Sequence, residues 1–180
     1  IKVILKRDNY IESVHYAHAV VCDNKGRVLM ASGNPEYQAF IRSSLKPFQS
    51  LPFISSGTKE KISCGDKAIA ISCGSHLGST MHAREAFQIL WNSDVDVNFL
   101  KCPIPENKQS KLEHNCSGKH ASFLATCKKM NWPLQNYLEI KHPLQIEIIR
   151  KVSELLSVTS KELVTAKDDC GAPTIFLKLS

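Results

Sequence analysis

Apolar and polar positions change their period several times along the 180-residue chain, and each change predicts an element. The stretch "VHYAHAVVCDNKGRVLMASG" carries β-prone residues on both sides of Asp23-Asn24-Lys25-Gly26, which predicts a hairpin turning at those four residues. Ile1 to Leu5 is apolar enough to supply a third strand. From Ser43 to about Ile54 the pattern is helical, and a short helix is expected over Asp66 to Cys73, stopping near Gly74. An amphipathic helix should begin near Ser79 or Thr80, because Ala83, Ala86, Phe87 and Leu90 fall on one face. Residues 93 to 117 form a long polar connection, of a length that is usually functional inside a compact domain. A helix is expected from Lys119 to Met130, starting just after Gly118. Another opens at Pro143, with Leu144, Ile148, Val152 and Leu155 on one stripe. "DDCGAPTIFLKLS" is a turn running into a strand.

An N-terminal sheet, several helices and a returning strand imply an α+β or layered α/β domain. The length suits one domain spanning residues 1–180. The last strand stops abruptly at Ser180, so the chain is expected to be the front portion of something longer.

Composition narrows the class. With 43% hydrophobic and 22% charged residues the chain is an ordinary globular one. No apolar run approaches the ~20 residues that cross a bilayer, which argues against a membrane protein. There is no signal-peptide pattern, because "IKVILK" meets charge almost at once. The net charge of +6 comes from lysines spread along the chain, without interleaved aromatics, so nucleic acid is not an expected partner. A mildly positive field suits a small anionic or zwitterionic substrate. Cysteines stand at 22, 64, 73, 102, 116, 127 and 170 with no CxxC, which points to free or metal-bound thiols in a reducing, cytoplasmic setting.

Three stretches carry candidate chemistry. In "RSSLKPFQ", Ser43 and Lys46 are three apart, so on a helix they share a face, and Pro47 places that helix start close to Ser43. A serine whose base is a lysine at this spacing is the device of penicillin-binding proteins and β-lactamases. The same spacing also arises by chance: Ser56 and Lys59 repeat it in a loop-like stretch. In "EHNCSGKHAS", Glu113 and His120 stand where a phosphate loop needs Gly and Ser or Thr, so that reading fails. What remains is Cys116 and Lys119 at a helix start, with Cys170 in the glycine-flanked turn "DDCGAP". These thiols are either zinc ligands without diagnostic spacing or buried structural groups. In "SCGSHLGSTMH", Ser75 and His76 lie in a glycine-flanked turn between two helices, as a catalytic pair or as helix caps.

Taken together, "ESVHYAHAVV", "RSSLKPFQ", "CGSHLG", "HNCSGKHA", "HPLQ" and "DDCGAPT" resemble, in order and spacing, the rhizobial-type L-asparaginases. The resemblance runs from Glu12 to Pro173. It implies a fold like that of serine β-lactamases and glutaminases, as the front portion of one catalytic domain. It implies hydrolysis of the side-chain amide of L-asparagine, with Ser43 and Lys46 as nucleophile and base and Ser75 as a second active-site serine. It also implies zinc held by Cys116, Lys119 and Cys170, and a site role for Asp168. Arg42 and His120 become substrate-pocket neighbours, and the family allows a homodimer. Two departures stand out. Asp169 replaces the family's usual glycine and is expected to strain the turn, and a further active-site lysine of the family lies beyond Ser180. The competing expectations are a catalytically inactive remnant that keeps a zinc-binding or interaction role, and a serine–lysine hydrolase of another acyl group.

Overall fold

Two antiparallel hairpins open the chain in the computed structural model, which describes residues 1–180 throughout. β1 (Lys2–Arg7) pairs with β2 (Tyr10–Tyr16), and β3 (Ala19–Cys22) pairs with β4 (Val28–Ser32). The second hairpin turns where expected, because the Asp23 carboxylate accepts the N–H groups of Lys25 and Arg27, both at 2.9 Å. Ile1 to Leu5 does contribute to a strand, but that strand pairs with residues 10–16 in a sheet of its own. Asp8, in the left-handed region at φ 51°, closes that hairpin locally, and local closure is the shorter loop.

β5 (Gln38–Phe40) pairs antiparallel with the end of β7 (Pro173–Lys178), Gln38 opposite Lys178 and Phe40 opposite Phe176. Ile1–Phe40 and Phe176–Ser180 form one compact unit, and Ile41–Ile175 form another that contains every helix.

In the helical unit, the single helix expected from Ser43 to Ile54 is broken into three pieces. They are a 3-10 turn (Arg42–Leu45), α1 (Lys46–Gln49) and α2 (Leu51–Ser55). Pro47 and Pro52 each sit in a first helical turn, where a missing N–H costs little, and each prevents a longer helix from running through it. α3 (Thr58–Lys61) follows, then α4 (Asp66–Cys73) over the expected residues. α5 (Thr80–Asn92) starts from Ser79, whose hydroxyl accepts the His82 N–H. Its buried residues are Ala86, Ile89 and Leu90, while Phe87 turns outward beside Trp91.

α6 (Ser117–Met130) begins two residues before the expected start and is buried without a break from Ser117 to Cys127. Gly118 acts through packing and does not mark a helix boundary: a Cβ there would stand 2.3 Å from the Ile71 carbonyl oxygen, so its absence lets α6 lie against α4. Asn131, left-handed at φ 55°, ends the helix by donating to Cys127 O and Lys128 O. α2, α3, α4, α5 and α7 (Pro143–Leu156) all pack on α6, which makes it the core. Burying a side chain such as Phe123 or Leu124 there contributes about 1.5–3 kcal/mol. On α7, Leu144, Ile148 and Val152 are buried as expected, but Leu155 is 62% exposed. The connection from 93 to 117 carries two 3-10 turns and is anchored by fully buried Leu100 and Cys102. β6 (Val164–Lys167), which the periodicity does not predict, lies beside β7 and reaches it through the turn at residues 168–172. The architecture is α+β, as expected.

Candidate active site

Lys46 is the first residue of α1 and only 1% exposed. Its Nζ donates to Ser75 Oγ at 2.7 Å, Gly74 O at 3.1 Å and Asn115 O at 3.3 Å. Three donors meet three oxygens, and none of those oxygens is a carboxylate. Ser43 lies in the preceding 3-10 turn, exposed, and is not among the partners of Lys46 Nζ. The direct Ser43–Lys46 contact expected from helical spacing is therefore not formed. Lys46 points inward, towards the connection between α4 and α5, while Ser43 faces outward. α1 is also only one turn long, so it offers Ser43 little helix dipole.

Ser75 is exposed and lines a cleft of about 520 Å³ together with Gly74, His76, Leu77, Met81 and His82. The turn that presents it is clamped to the residues just before α6. The His76 N–H donates to Asn115 O at 3.3 Å, the same carbonyl that accepts from Lys46. Gly78, at φ 64°, packs so closely that a Cβ would meet Glu113 O at 2.0 Å.

Arg42 is left-handed at φ 46°, and its N–H donates to Thr174 Oγ1 at 3.0 Å. Its guanidinium pairs with Asp168 at 3.1 Å and also with Asp169. The strain expected at Asp169 does not arise. Gly171 takes the left-handed position of that turn at φ 83°, and the Asp169 side chain is 88% exposed.

Cys116, Lys119 and Cys170 are all buried, and Lys119 Nζ stands 3.2 Å from Cys170 Sγ. Cys116 and Cys170 shift one another in opposite directions. Cys170 is drawn well below an ordinary thiol by Cys116, by His120 and by the Lys119 charge, against burial. Cys116 is pushed up by Cys170 and by burial. No three His, Cys, Asp or Glu side chains cluster as a metal site, so a metal here needs Lys119 as its third donor. Two thiols and an amine form a soft, nitrogen–sulfur set that matches zinc with one position left open.

His120 is fully buried. The Lys101 N–H donates to the Tyr137 hydroxyl at 3.0 Å, which leaves the phenol proton for His120 Nδ1 at 2.7 Å. The ring proton then sits on Nε2, which has no hydrogen-bond partner. Burial lowers the His120 pKa to about 4, although the Cys170 thiolate pulls the other way. The structure thus brings Lys46 to Ser75, Lys119 to Cys170 with Cys116, and Arg42 to Asp168. Lys46 and Lys119 both act on His114, whose pKa falls through burial and through their charges. Tyr137 and the Asn115 carbonyl belong to this neighbourhood, and no spacing rule singles them out.

A family model described as L-asparaginase II matches residues 3–180. A search of curated proteins found no match.

Proposed function

The chain belongs to the L-asparaginase II family, and from that premise we propose that it hydrolyses the side-chain amide of L-asparagine to aspartate and ammonia. The observation that carries the reading is the buried Lys46 amine 2.7 Å from the Ser75 hydroxyl. An uncharged Lys46 takes the proton of Ser43, passed through the Ser75 hydroxyl that it touches, as Ser43 attacks the amide carbon. Ser75 passes the proton to the departing nitrogen, ammonia leaves, and water cleaves the aspartyl ester. The 2.7 Å contact serves both directions, because a charged amine donates to Ser75 and an uncharged one accepts from it. Arg42, held by Asp168, faces the substrate carboxylate, and His120 lies behind the pocket. The fold is that of the serine β-lactamases and glutaminases.

Cys116, Lys119 and Cys170 hold zinc in this reading, through two thiolates and an uncharged amine. When bound, the metal supplies a fixed positive charge that polarises a nearby substrate oxygen.

One observation favours a second assignment: the serine that Lys46 touches is Ser75, which makes Ser75 the nucleophile and Ser43 its neighbour. Ammonia and aspartate measured after adding L-asparagine test the function. The wild type should release both in equal amounts, and Ser43→Ala should release neither. Full activity in Ser43→Ala with none in Ser75→Ala would support the second assignment. No ammonia from the wild type would remove the amidohydrolase reading altogether.

A further inference from the structure

His76 neighbours Ser75, is buried, and uses both ring nitrogens. The Gly78 N–H donates to His76 Nδ1 at 3.1 Å, so the ring proton is assigned to Nε2. Nε2 stands 3.0 Å from Ser117 Oγ, and the Ser117 hydroxyl donates to Leu112 O at 2.7 Å. These bonds run in one direction, from Nε2–H to the Ser117 oxygen and from its hydroxyl to Leu112, so each supports the next. A doubly protonated ring would have to give up the Gly78 bond. His82 stacks on His76 with ring centroids 5.0 Å apart, and Lys46 and His114 also face it; all three disfavour that second proton, after burial itself.

Ser117 opens α6, between Cys116 and Lys119. We infer that His76 is a positioning residue for the proposed reaction: its ring bonds the Ser75 turn to the first residue of α6, and so fixes the Ser75 hydroxyl on Lys46 Nζ. This rests on the reading of Lys46 and Ser75 given above. The main-chain bond from His76 N–H to Asn115 O is long at 3.3 Å, and the carbonyl is shared with Lys46. Beside it, the 3.0 Å bond from the ring to Ser117 is the shorter and better-buried link between the two segments. Without it, Ser75 keeps its place in the sequence and loses its register against the amine. Misplacement of a catalytic group by about 1 Å costs about a hundredfold in rate.

Two substitutions separate the two ring bonds. His76→Asn keeps an acceptor for Gly78 and loses the donor to Ser117, whereas His76→Gln offers an amide N–H to Ser117 and loses the Gly78 bond. His76→Asn and Ser117→Ala should each lower kcat roughly 10- to 100-fold with KM within about twofold. His76→Gln should recover most of the rate, and His76→Asn combined with Ser117→Ala should be no worse than either alone. Wild-type kcat in the folded Asn and Ala variants, or losses that multiply, would overturn the assignment. A second readout does not depend on turnover: the amine signals of Lys46 in 15N-lysine NMR spectra. They should shift in His76→Asn and Ser117→Ala and return towards wild type in His76→Gln. Unshifted signals would reject the positioning role even if the chain hydrolysed no asparagine, and a wild type without ammonia release would reject only the reaction.

Discussion

Lys46 and Lys119 are buried to the same depth, each 1% exposed, yet they meet different surroundings. Lys46 has two carbonyls and a hydroxyl around it, all oxygens that can exchange or orient a proton. Lys119 has the Cys170 sulfur at 3.2 Å and the Phe123 ring at 5.8 Å, a soft setting of sulfur and ring carbon. The difference teaches that burial alone assigns no role to a lysine; the neighbouring atoms do. One environment suits acid–base work beside Ser75, and the other suits a metal held with Cys116 and Cys170.

The strongest way to break this comparison is to exchange each lysine for methionine. Lys46→Met should lower ammonia release by roughly 10²- to 10⁴-fold and leave metal content unchanged. Stability should change little, because an apolar group of similar volume replaces the amine and the Asn115 carbonyl keeps the His76 N–H as its donor. Lys119→Met should do the reverse in the metal assay, weakening zinc binding roughly a hundredfold as measured by competition with a chelating dye. Equal effects of the two substitutions on both assays would erase the distinction.

How far the sequence reveals these surroundings varies along the chain. α4, α5 and α7 were legible because their signals are local: Gly74 after Cys73, Ser79 before Thr80, Pro143 at a helix start. β5 and β6 were not, since strands of three and four residues carry no useful period and depend on a partner far along the chain. The break within residues 43–55 was written in Pro47 and Pro52, but helical periodicity masked it. At the site, spacing suggested Ser43 for Lys46, while the formed contact reaches Ser75, 29 positions away. Only resemblance joined Cys116 and Lys119 to Cys170, because no local pattern spans that separation. His76 was visible as a histidine in a glycine-flanked turn; its partner Ser117 was not.

Acidity sharpens the comparison from the metal side. A zinc-bound amine and thiolates must all be free of protons, so zinc affinity should fall steeply on acidification from pH 7. Metal content that stays constant down to pH 5 would argue against the lysine as a ligand.

A smaller effect is expected on folding of the metal-free chain. His120 has a folded pKa of about 4 against an ordinary 6.5, so below pH 6.5 the unfolded chain binds a proton that the folded ring refuses. Its contribution is complete above pH 6.5 and is lost as the pH falls towards 4, about 3 kcal/mol in all. His76, lowered to about 4 by burial first, slopes in the same direction. Urea unfolding at pH 7 and pH 5 should show the loss, and His120→Phe should reduce it. The smallest change is Asp169→Gly. It removes only an exposed pair with Arg42 and relieves no strain, so stability should move by less than about 1 kcal/mol.

The most direct measurement is mass spectrometry of the chain quenched in acid during incubation with L-asparagine. The account predicts an aspartyl ester on the peptide containing Ser43, present in the wild type and absent from Lys46→Met. An ester on Ser75 would move the nucleophile to the hydroxyl that Lys46 touches. Steady ammonia release with no ester on either serine would contradict the serine–lysine account.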